Sequence, residues 1–338
     1  MTLSEIIRCT HSEAGEIETA LPCQLTTLRP ASTRNGKPYL DVEFSDGTAS
    51  EKIKIWQDSS AYDQCHDLEA GDCAQLEGRF WRNQFGLNID NLRVRPLTHE
   101  EEAALFSGTP ERQAKLAADM LFIDDTVAAL TDPRLRLLCQ TFLTQFGERF
   151  RRAAAARSYH HARRGGLLDH TSQMMRAAVA LRAVYPSVNW DLVIAGVLFH
   201  DCGKLWENDY EPQGFNSPLT TIGELLGHIT IGIELVNRLW RTLDADPVFQ
   251  NAGTPPKESV REHLLHLIAS HHGQREFGAP VTPRTPEGWM LHYIDNIDAR
   301  FEMLAMTYSE KGQTAPGIYE HRPPLEGRAI APLPHWTE

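Results

Sequence analysis

Between residues 17 and about 95 the apolar positions recur every second residue. In KPYLDVEF (37–44) Leu40, Val42 and Phe44 fall on one side, Tyr39, Asp41 and Glu43 on the other. In EKIKIW (51–56) Ile53 and Ile55 alternate with Lys52, Lys54 and Trp56. A period of two is the mark of a half-buried strand. RNGK and SDGT supply the Asn-Gly and Asp-Gly of tight hairpins. A short helical piece (59–72) follows, then two more strand-like runs, CAQLEGRFWR and GLNIDNLRV. Three strands, a helix and two strands predict a five-stranded OB-type β-barrel over 17–96.

Past the barrel the period changes. Residues 97–110 are polar with a proline and read as a linker, and 111–311 read as helical. Helices are expected near 133–156, 167–184, 189–203, 222–243, 257–272 and 286–308. Residues 1–16 read as an N-terminal extension and 312–338 as a Pro/Gly-rich tail. The fold class is therefore multi-domain α+β, a β-barrel followed by an all-α domain.

Composition narrows the setting. No apolar run approaches a membrane span, and the start lacks a basic segment leading into an apolar one, so no secretory leader is expected. Six scattered cysteines form no C-x-x-C pair, which suits reduced thiols in a cytoplasm. The formal net charge of −12 argues against broad phosphate binding through a basic surface. One segment opposes the trend. RFRRAAAARSYHHARR (149–164) holds six arginines and no acid, which alone reads as a solvated helix face.

Candidate chemistry begins with VLFHDCGKLWE (197–207). With 15 His and 19 Asp, chance places about one His-Asp pair in this chain, and there are two, His66-Asp67 and His200-Asp201. His66-Asp67 falls in the short helical connection or its exit, with no second histidine near it. His200-Asp201 is one of five patches on separate helical segments, with His170, His228, the pair His271 and His272, and the pair Asp295 and Asp298. Each sits in apolar sequence that should face a core. A lone buried histidine is ordinary, but five such patches need pairing or metal, and helical bundles build metal sites from converging side chains.

The order His, His-Asp, His, His, Asp resembles the HD-domain metal-dependent phosphohydrolase superfamily. NGKPYLDVEFSDGT, HHARRGGLLDHT, GVLFHDCGK and SHHGQREFGAPVTPRTPEGWMLHYIDNIDAR resemble the YhaM-type 3′-to-5′ exoribonucleases over roughly 17–310. That resemblance implies an OB-type barrel joined to an HD domain. It implies His170, His200, Asp201 and Asp295 as a basic metal quartet, with His228 and His271 added for a second ion and Asp201 bridging the two. His272 stays open as a ligand, a group bonded to one, or a phosphate contact. Oxygen and imidazole donors without thiolate suit Mn²⁺, Fe²⁺ or Mg²⁺, and the resemblance implies Mn²⁺. Two ions clamp a phosphodiester and acidify a water, and with such a centre the resemblance implies metal-dependent 3′-to-5′ hydrolysis of single-stranded RNA to nucleoside 5′-monophosphates, with DNA as an alternative substrate.

Around this centre, Lys204, at i+4 from His200, is expected to hold a phosphate oxygen. The alternative is an exposed helix-end lysine favoured by the macrodipole. His160 and His161 are expected to contact phosphate or protonate the leaving group, with Arg163 and Arg164 beside them. His263, His266 and His292 lie off the motif and read as core or surface residues. On the barrel, Tyr39, Lys52, Lys54, Trp56 and Trp81 suit stacking of single-stranded nucleic acid. Against that, aromatics also fill cores, and Asp41 and Glu43 oppose phosphate. Two other functions compete. One is a non-catalytic nucleic-acid-binding protein, against which the full ligand set speaks. The other is an HD phosphohydrolase on free or cyclic nucleotides, which has no need of a strand-tracking barrel.

Overall fold

The alternating stretches are strands. The computed structural model describes residues 1–11, 15–155, 163–211, 213–215, 217–250 and 253–335. Its contacts divide it into two units, Met1–Gln113 with Glu211–Asn216 and Met303–Glu338, and Ala114–Tyr210 with Ser217–Glu302.

In the first unit, helix α1 (Leu3–Thr10) precedes five antiparallel strands: β1 (Glu16–Ser32), β2 (Pro38–Ser45), β3 (Ser50–Trp56), β4 (Cys73–Asn83) and β5 (Gly86–Pro96). Helix α2 (Ser60–Gln64) joins β3 to β4. The spatial order is β3-β2-β1-β4-β5, and β3 and β5 also touch, so the sheet curls around one core. Leu40, Val42, Phe44, Ile53 and Ile55 are buried as the alternation predicts. Gly36 and Gly47 take φ of 78° and 82°, the left-handed conformation both hairpin turns need.

The N-terminal extension and the linker each carry a helix. In the extension the Thr2 hydroxyl accepts from Glu5 N while Glu5 accepts from Thr2 N, a capping box. Leu3, Ile6 and Ile7 are at most 5% exposed and join the strand core. Within the expected linker, α3 (His99–Ser107) has the same box from Thr98 and Glu101 but buries no side chain. The tail carries a small hairpin, β6 (Gln313–Ala315) and β7 (Ile318–Tyr319).

The second unit is helical: α4 (Pro110–Ala128), α5 (Pro133–Arg152), α6 (Gly166–Leu181), α7 (Trp190–Phe199), α8 (Lys204–Glu207), α9 (Thr221–Thr242), α10 (Pro247–Gln250), α11 (Lys257–Ser270) and α12 (Pro286–Glu310). No helix among the described residues is long and apolar enough to cross a membrane. Helix α7, WDLVIAGVLF, is apolar all round and therefore buried all round. It packs in one core with Leu135, Leu138 and Phe142 of α5 and Leu264 and Leu267 of α11. Each such large side chain contributes roughly 1.5–3 kcal/mol on burial. That anchoring fixes the His200-Asp201 pair just past the last turn of α7.

The helix expected over 189–203 ends earlier, at Phe199. His200–Gly203 form a tight turn in which Lys204 N donates to Asp201 O. The glycine of this turn has a steric purpose. A Cβ on Gly203 would stand 1.9 Å from the His228 carbonyl oxygen and 2.7 Å from Gly232 N. The close approach brings α9 onto the turn. Gly203→Ala is expected to cost about 1–3 kcal/mol through overpacking, read as a lower urea midpoint at unchanged slope. Its φ of −64° adds no backbone penalty, so an unaltered midpoint would mean that α9 moves aside freely.

Candidate metal centre

Five segments of the second unit deliver the predicted residues to one place. His170 lies in α6, His200 and Asp201 in the turn after α7, and His228 in α9. His271 and His272 leave α11, and Asp295 and Asp298 sit on α12. Just before His228, Gly227 takes φ 67° and ψ 163°, a conformation open essentially to glycine alone, and this kink re-aims the helix.

The donor atoms fall into two groups. In the first, His170 Nε2 is 3.2 Å from His200 Nε2 and 3.3 Å from Asp295 Oδ1. His200 Nε2 is 3.3 Å from Asp201 Oδ2, which lies 4.0 Å from His170 Nε2. In the second, His228 Nε2 and His271 Nε2 stand 3.3 and 3.7 Å from Asp201 Oδ1, and His272 joins them with a donor atom within 4.8 Å of both rings. Asp201 thus turns one oxygen to each group. Among the described residues these are the two groups of three or more such side chains able to hold an ion.

Every one of the five rings has its Nδ1 occupied. His170 Nδ1 meets Asp298 Oδ2 at 2.6 Å and His228 Nδ1 meets Glu207 Oε1 at 3.2 Å. Those of His200, His271 and His272 meet the carbonyl oxygens of Val197, Ile268 and Phe277 at 2.9, 2.8 and 2.6 Å. All five acceptors call for a proton on Nδ1, so the lone pair of each neutral ring sits on Nε2, facing inward. The fit to a cation can be tested on the atoms left over. Asp201 Oδ1, His228 Nε2 and His271 Nε2 are buried without a hydrogen bond. An unmet buried polar atom costs about 1–3 kcal/mol. Three of them aimed at one another, as acceptors only, suit divalent cations and little else.

Charge is arranged to match. Burial opposes ionisation of Asp201, but Lys204, His200 and His228 hold its carboxyl well below the usual range. Asp295 is likewise lowered against burial by His170 and His200. Burial and neighbouring imidazoles push His271 and His272 down, keeping them neutral. His170 goes the other way: although buried, its bonds to Asp295 and Asp298 push it up to about 10.

Lys204 is not the exposed helix-end lysine of the alternative reading. It is buried, at 9% exposure. It shares the pocket with His200, both side chains meeting Asp201 Oδ2. Its Nζ is 3.1 Å from Asp201 Oδ2 and also donates to the Ala155 carbonyl. Two of its three donors are used, leaving one for a phosphate oxygen.

The expected phosphate contacts are rearranged. Arg163 pairs with Asp169, 3.1 Å away, and with Glu302. Lys115 reaches the other Asp169 oxygen at 2.7 Å. The two Arg163 pairs tie the start of α6 to α12. Arg164 is partly buried near Arg152. His160 and His161 lie outside the described residues.

On the barrel, three of the five predicted contacts, Tyr39, Trp56 and Lys54, are brought together. Tyr39 pairs with Trp56 across β2 and β3, ring centroids 5.5 Å apart. Lys54 Nζ lies 5.0 Å from the Tyr39 ring. Lys37, which opens the same run but is not among the predicted contacts, lies 4.8 Å from the Trp56 ring while also meeting Asp58. The two acids that opposed phosphate are neutralised: Asp41 by Arg29 at 2.9 Å and Glu43 by Lys52 at 3.4 Å. Lys52 is thereby partly spent. Trp81 does not join them. It faces Glu16 at the start of β1, whereas Tyr39 faces Ala31 near its end, and its Nε1 donates to Asp90. The other pair, His66-Asp67, is an exposed surface contact. His266 and His292 make backbone contacts, His266 accepting from Arg284 N and His292 donating to the His271 carbonyl.

Residues 167–300 match the HD domain family. Over 324 residues, 95% of this chain and 93% of the relative, the sequence is 31% identical to the 3′-5′ exoribonuclease YhaM of Geobacillus sp. (strain WCH70).

Proposed function

The chain belongs to the YhaM-type 3′-to-5′ exoribonucleases, and from that premise we propose how its residues perform the reaction. The protein is a metal-dependent 3′-to-5′ exonuclease acting on RNA, a hydrolytic enzyme of the HD superfamily. The observation that supports assigning the chemistry to the metal centre is the set of three unpaired acceptor atoms, Asp201 Oδ1, His228 Nε2 and His271 Nε2.

His170, His200 and Asp295 would hold one ion and His228, His271 and His272 the other, with an Asp201 oxygen turned to each group. The donor set, oxygen and imidazole without thiolate, suits Mn²⁺, Fe²⁺ or Mg²⁺, and among these the family resemblance favours Mn²⁺. When bound, two divalent ions supply positive charge that polarises the scissile phosphate and acidifies a water. In hydrolysis the bond formed joins a water oxygen to phosphorus. The bond broken leads to the 3′ oxygen of the penultimate nucleotide, so a nucleoside 5′-monophosphate is released. Lys204 gives its remaining donor to a phosphate oxygen and offsets the charge that develops there. His160 and His161 keep the role that the family resemblance implies, contact with the phosphate or a proton for the leaving 3′ oxygen, with Arg164 beside them.

Tyr39 and Trp56, with Lys54 and Lys37 over their rings, supply a stacking platform for unpaired bases. Base–aromatic stacking is indifferent to sequence, which suits an exonuclease that must accept every nucleotide. Trp56→Ala is expected to weaken binding by about 1–3 kcal/mol for the base it stacks, roughly 5- to 150-fold in Kd. Fluorescence anisotropy of a labelled oligonucleotide, with Asp201→Asn in both proteins so that the RNA stays whole, reads this directly. An unchanged Kd removes the platform from the account.

The activity is tested with a 5′-labelled single-stranded RNA and Mn²⁺. A ladder shortening one nucleotide at a time from the 3′ end, absent with chelator, is the expected result. Turnover of mononucleotides or cyclic dinucleotides in place of oligomers would assign the centre to a small-molecule phosphohydrolase instead.

A further inference from the structure

The five inward-facing imidazoles are not backed alike. Three give Nδ1–H to main-chain carbonyls, which are neutral. Two give it to carboxylates outside the donor groups, His170 to Asp298 and His228 to Glu207. These two rings stand on opposite sides of Asp201, His170 in the group beside Oδ2 and His228 beside Oδ1. Each donor group therefore contains one carboxylate-backed ring.

The backing residues come from different places. Asp298 lies one turn after Asp295 on α12 and is 9% exposed. Glu207 ends α8, and its Oε1 accepts from both Nδ1 and the backbone N of His228, at 3.2 and 3.0 Å. That double contact holds His228 at the first position past the Gly227 kink, where the helix has no preceding turn to orient it. The main chain near Glu207 is itself tied down. Its carbonyl accepts from Thr220 N at 2.9 Å, and Gly223 leaves no room for a Cβ beside that carbonyl.

We propose that Asp298 and Glu207 are positioning residues, each dedicated to one ion: Asp298 to the ion at His170, His200 and Asp295, Glu207 to the ion at His228, His271 and His272. The proposal rests on the two-ion reading of the centre. A carboxylate behind an imidazole fixes the Nδ1–H tautomer as a carbonyl does, and its negative charge also strengthens Nε2 as a donor. Two independent carboxylates let the affinities of the two ions be set separately, although the ions share Asp201.

Mn²⁺ titration of the metal-free full-length chain, with free Mn²⁺ counted by electron paramagnetic resonance, tests this. The wild type is expected to bind two ions. Glu207→Gln and Asp298→Asn keep side-chain shape and remove charge. Each should weaken one ion about 10- to 100-fold and leave the other unchanged, and the double variant should weaken both. With His170→Ala removing the first ion, Glu207→Gln should still weaken the one that remains, while Asp298→Asn should not. A merely structural role would shift both affinities together with the melting temperature. If the wild type binds two ions and each variant changes both equally, or neither, the proposal is overturned and the two-ion reading stands. A wild type that binds one ion overturns the two-ion reading, and this proposal with it.

Discussion

Asp201→Asn lowers Mn²⁺-dependent RNA hydrolysis by at least about a thousandfold, because ion charge at the phosphate is worth several kcal/mol and each 1.4 kcal/mol is a factor of ten. The asparagine keeps the shape of the side chain but loses the charge, and it replaces one oxygen with an amide that has no lone pair to give. Among the described residues Asp201 is the one whose two oxygens face both donor groups, with His200 Nε2 at 3.3 Å on one side and His228 Nε2 at 3.3 Å on the other. Its loss is felt at both ions, whereas His170→Ala or His228→Ala should each remove one. The metal-free variant is also expected to melt lower, since buried Lys204 is left without its counter-charge. Rates are therefore compared below both melting points, per folded molecule. Activity within tenfold of wild type would show that the chemistry lies elsewhere.

Lys204→Met separates the lysine from the metal site. Methionine keeps most of the buried stem and removes the ammonium. Loss of one preorganised donor to the developing charge is expected to lower kcat by about a hundred- to a thousandfold. Mn²⁺ affinity should hold or rise, since the ammonium 3.1 Å from Asp201 Oδ2 competes with cations for that carboxylate. The two variants thus fail in opposite ways, Asp201→Asn through lost metal and Lys204→Met with metal in place. Full turnover in Lys204→Met would leave the metal centre intact and reduce Lys204 to a partner that holds Asp201 and the Ala155 carbonyl in position.

Much of the fold and the centre is legible in the sequence, and the physical reasons are uneven. Strand alternation is a local property, so Leu40, Val42, Phe44, Ile53 and Ile55 can be placed inward from the residue pattern alone. The inward histidines and aspartates are legible because titratable side chains in apolar surroundings are costly without a partner. Glu207 and Asp298 are harder to assign. Their importance lies in which ring nitrogen they meet, and Glu207 is 21 residues from His228 and Asp298 128 from His170. The surroundings of Arg163 are hidden for a related reason. An arginine-rich run looks basic until the fold brings Asp169 and Glu302 to it. The capped helix at Leu3–Thr10 is legible in principle, since T-L-S-E is a capping box before Ile6 and Ile7, but eight residues with so little hydrophobic length pass easily for an extension.

The most direct test of the account is a crystal of the chain grown with Mn²⁺ and measured at the manganese absorption edge. Two anomalous peaks are expected, one among His170, His200 and Asp295 and one among His228, His271 and His272, with Asp201 between them. A single peak, or peaks away from Asp201, would contradict it.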